Sequence, residues 1–154
     1  MKKHTIIIAE AGVNHNGDIE LAKRLIDAAA DAGVDYVKFQ TFKADKLVSK
    51  SAAKADYQVR NSTNKKERTQ YEMLRKLEFS EQQFIALEKY CKKRKVKFLS
   101  TPFDEESLHF LMKLKMDFIK VPSGEITNLP FLESVAATKK RIVFSTGMST
   151  LKEI

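Results

Sequence analysis

The sequence predicts an α/β protein built on a parallel sheet. Short runs of β-branched and aromatic residues alternate along the chain with longer segments in which apolar residues recur at helical spacing. Strict alternation of this kind is typical of parallel strands joined by crossover helices. Polar and charged residues also stand where the predicted strands end, which is the edge of a parallel sheet at which ligands bind.

The first half of the chain predicts two strands with a helix between them. Thr5 to Ala9 is a β-branched apolar run that predicts the first strand and ends on Glu10. Asp18 is a suitable N-cap for a helix with one apolar face, which Gly33 ends. Asp35 to Phe39 predicts the second strand. The polar segment that follows, to about Glu78, contains a helical turn or two near its end.

The second half predicts three more strands and their helices. Ser80 and Gln83 have the spacing of a capping box, which begins a helix that runs to about Arg94, and Asp104 caps the next helix. Thr150 and Glu153 repeat the capping-box spacing and predict the start of one more helix. The other predicted segments are strands at 96–100, 117–121 and 141–145 and a helix at 129–139.

These elements favour the N-terminal portion of a (β/α)8 TIM barrel, truncated after about five strands, because a whole barrel takes roughly 200 residues or more. A doubly wound sheet is the alternative. The first βα loop lacks a G-x-G-x-x-G motif, however, and no P-loop occurs in the sequence. We therefore expect residues 1–154 to be one partial domain of a longer protein.

Composition excludes several classes of function. The net charge is +8, and residues 42–70 hold eight basic and three acidic residues, but Tyr57 is the one aromatic interleaved among them after Phe42. That pattern favours a solvated loop that attracts a small anion over nucleic-acid binding. No apolar run is long enough to span a membrane. A single cysteine, Cys91, is typical of a cytoplasmic protein without disulfides.

Two strand lysines are the main functional signal. Asp117-Phe118-Ile119-Lys120 repeats the residue types of Asp35-Tyr36-Val37-Lys38: acid, aromatic, β-branched, lysine. A buried ammonium is costly unless an anion meets it, so Lys120 requires a partner. Ser123 and Glu125 follow the strand, and a cation beside hydroxyl and backbone donors predicts an oxyanion or phosphate site. Two lysines on solvent-facing strands are the less favoured alternative.

Five stretches at these strand ends resemble the sialic acid synthase family, which joins phosphoenolpyruvate to an N-acetylated amino sugar. They occur in family order and cover essentially the whole chain. The likeness is strongest to bacterial N-acetylneuraminate synthases and their legionaminate-making relatives. The stretches are Ile8-Ala9-Glu10-Ala11-Gly12-Val13-Asn14-His15-Asn16-Gly17, Val37-Lys38-Phe39-Gln40-Thr41-Phe42-Lys43-Ala44, Ser100-Thr101-Pro102-Phe103-Asp104, Lys120-Val121-Pro122-Ser123-Gly124-Glu125 and Ser145-Thr146-Gly147-Met148.

The resemblance implies a role for each site residue. Glu10 matches the catalytic acid, and Gln40, Tyr57, Gln58 and Glu125 are expected near the amino sugar. Glu125 could equally fix the turn in which it lies. The residues expected to hold the phosphate and carboxylate of phosphoenolpyruvate are Lys38, Thr101, Lys120, Ser123 and Ser145.

The resemblance also implies parts that this sequence lacks. The family fold is a TIM barrel followed by a small antifreeze-like domain that reaches into the site of a partner in a homodimer. The two histidines that bind a divalent metal, manganese or magnesium, lie on later strands beyond Ile154. None of His4, His15 and His109 is expected to replace them, so we expect no metal ligands in this chain.

The expected activity is that of an N-acetylneuraminate synthase: metal-dependent condensation of phosphoenolpyruvate with open-chain N-acetylmannosamine, releasing phosphate. Three alternatives stay open. They are a legionaminate or related nonulosonate synthase acting on a diacetamido sugar, a Schiff-base aldolase using Lys38 or Lys120, and a phosphate-binding fragment without activity.

Overall fold

The computed structural model describes residues 4–53 and 69–154, so the roles expected of Tyr57 and Gln58 lie outside the described residues. The strands are β1 (Ile8–Gly12), β2 (Tyr36–Thr41), β3 (Lys97–Pro102), β4 (Ile119–Val121) and β5 (Ile142–Phe144). The helices are α1 (Ile19–Asp31), α2 (Ala44–Leu47), α3 (Gln70–Leu77), α4 (Glu81–Lys93), α5 (Glu105–Leu111) and α6 (Leu129–Ala137), and a 3-10 turn spans Ser123–Glu125.

All pairing between these strands is parallel, which confirms the predicted α/β class. β1, β2 and β3 form one sheet in that order, and β4 pairs with β5 in a second. Each strand is followed by at least one helix or turn that returns the chain to the start of the next, as parallel pairing requires. Among the described residues, every helix is too short or too polar to cross a lipid bilayer.

The core lies between the first sheet and the helices α1 and α4. Val37 and Phe39 of β2 point to this side and are 1% and 0% exposed. They belong to one buried cluster with Ile26 of α1 and Leu87 of α4. Because successive strand side chains alternate between faces, Lys38 is directed to the opposite face. A smaller cluster, formed by Leu108, Ile119, Val121, Phe131 and Val135, packs the second sheet against α5 and α6.

Helix starts were predicted more accurately than strand limits. Ser80 and Gln83 form the predicted capping box, with the Gln83 N–H donating to Ser80 Oγ at 3.3 Å and the Ser80 N–H to Gln83 Oε1 at 2.9 Å. Asp18 and Asp104 cap α1 and α5 as predicted. The sixth helix begins at Leu129 as predicted but ends at Ala137, two residues early.

The prediction for the first strand was wrong by three residues. Pairing with β2 begins at Ile8, opposite Tyr36, whereas Ile6 and Ile7 are each 53% exposed. The first three residues of the predicted run therefore precede the strand, and Glu10 lies inside β1 rather than after it. The second and third strands likewise run two residues past their predicted ends, to Thr41 and Pro102.

The helix predicted to start near Thr150 is replaced by a turn. Its capping-box hydrogen bonds do form: the Thr150 N–H donates to Glu153 Oε2 at 2.7 Å, and the Glu153 N–H to Thr150 Oγ1 at 3.4 Å. The Ile154 N–H also donates to the Thr150 carbonyl at 3.2 Å, the spacing of a first helical turn, so the local hydrogen bonds agree with the predicted helix start.

Candidate functional site

An open cavity of about 440 Å³ lies at the carboxyl ends of the strands. It brings together most of the site residues predicted from the sequence. Its lining residues are Glu10, Lys38, Gln40, Thr101, Phe103, Lys120, Pro122, Ser123 and Ser145.

Strand register is what assembles these side chains. Glu10 of β1 stands opposite Lys38 of β2, and Gln40 of β2 stands opposite Thr101 of β3. Residues paired in this way share a face of the sheet, so all four point to the side away from α1 and α4. Ser145 follows β5, where its N–H donates to the Val121 carbonyl at 3.1 Å and fixes the hydroxyl beside β4.

The two strand lysines have different partners. Lys38 Nζ forms an ion pair with Glu10 Oε2, and the side chains are 14% and 49% exposed. Lys120 Nζ donates instead to the Val121 carbonyl at 2.7 Å and to Ser145 Oγ. The anion that its burial requires is therefore not supplied by any carboxylate in the described part of the chain.

Burial lowers the pKa of Lys120 from its usual value, and the nearby Lys38 ammonium lowers it further, whereas the Glu10 carboxylate acts in the opposite direction. An anion placed between the lysines would restore the charged form of Lys120 and would be bound by it. The site is thus electrostatically complementary to a negatively charged ligand.

Thr101 gives a second, independent indication of a ligand. Its side chain is 2% exposed and lines the cavity, yet Oγ1 makes no hydrogen bond with any described residue. A buried hydroxyl without a partner costs free energy. The cost would be recovered if Oγ1 donated to a bound anion, and Ser123 and Ser145 offer further hydroxyls nearby.

Glu125 lies outside this group. It belongs to the 3-10 turn after β4, where its Oε2 accepts a hydrogen bond of 2.6 Å from Asn128 Nδ2. Asn128 in turn caps α6. Of the two roles left open for Glu125, the geometry provides the turn-fixing contact and does not bring the carboxylate to the cavity.

A second cavity, of about 500 Å³, contains more carboxylates but is a weaker candidate. Its Asp104 caps α5 through the Ser107 N–H, and its Glu105 accepts from Ser134 Oγ at 2.9 Å. Glu106 lies 3.8 Å from Lys43 Nζ. These groups already have protein partners, so they have less need of a ligand than Lys120 and Thr101.

His15 is a structural residue of the loop after β1. It is fully buried, stacks on Phe79 with ring centroids 3.9 Å apart, and accepts a hydrogen bond from the Gly17 N–H at Nδ1. Burial lowers its pKa to about 4, so the ring is neutral at pH 7. Across residues 4–53 and 69–154, no three His, Cys, Asp or Glu side chains are grouped as metal ligands.

Comparison with known proteins places these features in a family. The model of the NeuB family matches residues 25–154. The chain is 51% identical to an N,N'-diacetyllegionaminic acid synthase of Campylobacter jejuni, over 99% of this chain and 45% of that protein. It is also 51% identical to a protein of the same name from Legionella pneumophila, over 96% of this chain and 41% of the relative.

A solved structure has the same fold. The N-acetylneuraminic acid (sialic acid) synthetase of Leptospira borgpetersenii, crystallised with citrate, superposes with a TM-score of 0.80 at 32% identity, covering 99% of this chain and 48% of that one. The chain therefore spans less than half the length of each of these three relatives.

Proposed function

The chain belongs to the NeuB family, and from that premise we propose that it carries the phosphoenolpyruvate-binding part of a nonulosonate synthase. The observation that carries the proposal is that one cavity contains two groups whose partners are incomplete within the described part of the chain: Lys120, a half-buried cation with no carboxylate in contact, and Thr101, a buried hydroxyl with no hydrogen bond. The described residues would then be the N-terminal portion of a (β/α)8 barrel, an interpretation supported by the parallel order β1-β2-β3 and the strand–helix alternation.

Phosphoenolpyruvate suits this site because it carries a phosphate and a carboxylate. Lys38 and Lys120 approach the cavity from two different sheets and offset that charge, and Thr101, Ser123 and Ser145 supply neutral donors. Charge-assisted hydrogen bonds to preorganised donors are the strongest contacts such an anion can make.

Glu10 is the acid–base group in the proposed reaction. The enol carbon of phosphoenolpyruvate forms a C–C bond with the aldehyde carbon of the open-chain sugar. The aldehyde C=O π bond breaks, its oxygen takes up a proton and becomes a hydroxyl group, and positive charge is left on the carbon that bears the phosphate oxygen. Water adds to that carbon and gives up one proton. The C–O bond to the phosphate then breaks, the new hydroxyl becomes the ketone of the product, and its proton leaves with the phosphate. In this proposal Glu10, which lines the cavity and forms an ion pair with Lys38, accepts a proton from the water and stabilises the positive charge.

The divalent metal implied by the family resemblance has no ligand set among residues 4–53 and 69–154. The roles proposed for the described residues are to bind the anion and the sugar, to move a proton and to stabilise developing positive charge.

The acceptor sugar is proposed from the relatives. An N-acetylated amino sugar such as N-acetylmannosamine is one candidate, supported by the name of the Leptospira structure at 32% identity. A diacetamido sugar is the other, supported by two relatives at 51% identity that are named as diacetyllegionaminic acid synthases. The higher identity favours the diacetamido sugar.

A Schiff-base aldolase is a second candidate because the lowered pKa of Lys120 is a property that amine nucleophiles require. The two reactions differ in their products. A synthase releases phosphate when phosphoenolpyruvate and an acetamido sugar are both present, whereas an aldolase forms a borohydride-trappable adduct with pyruvate.

The test uses the longest product that the gene encodes, assayed for phosphate release with each sugar and for pyruvate adducts by mass spectrometry. Phosphate release that depends on the sugar supports the synthase, and a trapped adduct at Lys120 contradicts it. Lys115 is an exposed lysine five residues before Lys120, so Lys115→Met controls for loss of a positive charge. We expect Lys120→Met to abolish turnover and Lys115→Met to retain it.

A further inference from the structure

The loop after β1 begins with a bulge beside the cavity. Glu10 pairs with Lys38 and Gly12 with Phe39, so Ala11 is an extra residue in β1. Gly12 has a φ of +55°, which a residue with a side chain rarely adopts. Bulges near sites redirect the chain and its side chains.

The space above Gly12 is surrounded by three polar groups. A Cβ atom on Gly12 would stand 3.1 Å from Glu10 Oε1, 3.6 Å from Gln40 Nε2 and 4.0 Å from Asn14 Nδ2. One carboxylate and two carboxamides therefore lie within 4.0 Å of a single point. Glu10 and Gln40 line the cavity, so Asn14 extends the same polar surface.

The loop holds Asn14 in a defined position. The Asn14 N–H donates to the Ala11 carbonyl at 3.1 Å. The next residue, His15, is buried against Phe79 and accepts from the Gly17 N–H at 3.1 Å. These contacts fix the backbone on both sides of Asn14, so its exposed carboxamide moves only through the torsions of its own short side chain.

Neither the Asn14 nor the Gln40 carboxamide makes a hydrogen bond within residues 4–53 and 69–154. A carboxamide both donates and accepts, so it suits a hydroxyl group better than a phosphate, which only accepts at neutral pH. The cationic side of the cavity, around Lys120, suits the anion. The side around Gly12 suits an uncharged, polyhydroxylated molecule.

We propose that Asn14 is a substrate-positioning residue that hydrogen-bonds a hydroxyl group of the open-chain acetamido sugar, next to Glu10 and Gln40. This assignment rests on the synthase function proposed above. It adds to that function a third polar contact for the sugar and a reason for glycine at position 12, because any side chain there would occupy the space of the hydroxyl.

The test measures binding without turnover. The probe is the alditol of whichever acetamido sugar supports phosphate release in the assay above, N-acetylmannosamine or the diacetamido sugar; an alditol is an open-chain molecule that lacks the aldehyde and so cannot condense. Calorimetry on the longest product of the gene measures the Kd of the alditol in the presence of saturating phosphoenolpyruvate. A separate titration measures the Kd of phosphoenolpyruvate alone. The variants are Asn14→Ala and, as a matched control, Asn16→Gly, which removes the same carboxamide two residues away at a φ of +51° that glycine accepts.

We expect Asn14→Ala to raise the Kd of the alditol about tenfold, the effect of losing one hydrogen bond of about 1.4 kcal/mol, and to leave the Kd of phosphoenolpyruvate within about twofold. Asn16→Gly should change neither. An unchanged alditol Kd in Asn14→Ala, or a parent that binds phosphoenolpyruvate but no alditol, overturns this assignment and leaves the anion site standing. Equal losses for both ligands in Asn14→Ala overturn it too, because the residue would then act on the loop as a whole. A parent that does not bind phosphoenolpyruvate refutes the proposed function itself.

Discussion

Substituting Thr101 by valine should separate ligand binding from stability. Oγ1 is buried without a hydrogen bond among the described residues, so replacing it with a methyl group breaks no such bond and should leave the free energy of unfolding unchanged or raise it by about 1 kcal/mol. If Oγ1 donates to the bound anion, the same change should weaken phosphoenolpyruvate binding by about 1.5–3 kcal/mol, which is roughly a ten- to hundredfold rise in Kd.

The preceding residue provides the matched control. Ser100 is also fully buried on β3, but it lies on the opposite face, where its hydroxyl shares a hydrogen bond of 2.7 Å with Thr41 Oγ1. Ser100→Ala leaves the Thr41 hydroxyl without that partner and should lower the free energy of unfolding by about 1–3 kcal/mol without changing the Kd of phosphoenolpyruvate.

Urea unfolding and titration calorimetry measure both quantities. A Thr101→Val variant that is as destabilised as Ser100→Ala would show that Oγ1 has a partner in the free protein. Unchanged affinity for phosphoenolpyruvate in Thr101→Val would remove this hydroxyl from the anion site.

Three further predictions concern the lysine, the acid and the loop. The pKa of Lys120 is lowered in the free protein, and a bound anion raises it. The affinity for phosphoenolpyruvate should therefore be full below the free-state pKa and fall as the pH rises through it. Calorimetry should detect proton uptake on binding, and Lys120→Met should abolish that uptake. Glu10→Gln should lower kcat far more than it raises KM, and near-parental turnover would limit Glu10 to a structural role. Gly17→Ala would place a Cβ 2.3 Å from the Lys76 carbonyl oxygen at a φ of +77°, and it should lower the free energy of unfolding by about 2 kcal/mol or more. Gly33→Ala is the control, because Gly33 has a similar φ of +73° but open space around it; it should lower the same free energy by about 1 kcal/mol. Urea unfolding measures both.

Local signals with a direct physical cause allowed accurate prediction. Asp18, Ser80 and Asp104 cap helices in the structure because a short polar side chain can satisfy the first N–H groups of a helix wherever the chain places it. The repeated acid–aromatic–β-branched–lysine pattern indicated that Lys38 and Lys120 are functional, and both line the cavity.

Features that depend on tertiary contacts could not be predicted in this way. Ile6 and Ile7 have the composition of a strand, but β1 begins where β2 can pair with it, at Ile8. The Asn14 carboxamide lies near Gly12 because β1 contains a bulge, and the residue types of β1 do not predict that bulge. The sequence also could not show that, without a ligand, Lys120 donates to the Val121 carbonyl and to the Ser145 hydroxyl.

The alternation of side chains along β2 has a consequence for how the chain folds. A shift of one residue in the pairing of β2 with β3 would move Lys38 into the space of Phe39, among Ile26 and Leu87, and would expose the phenylalanine ring at the cavity. Transferring an ammonium group into that apolar layer costs several kcal/mol. The lysine placed to hold the ligand therefore also excludes the misaligned sheet during folding, before any ligand is present.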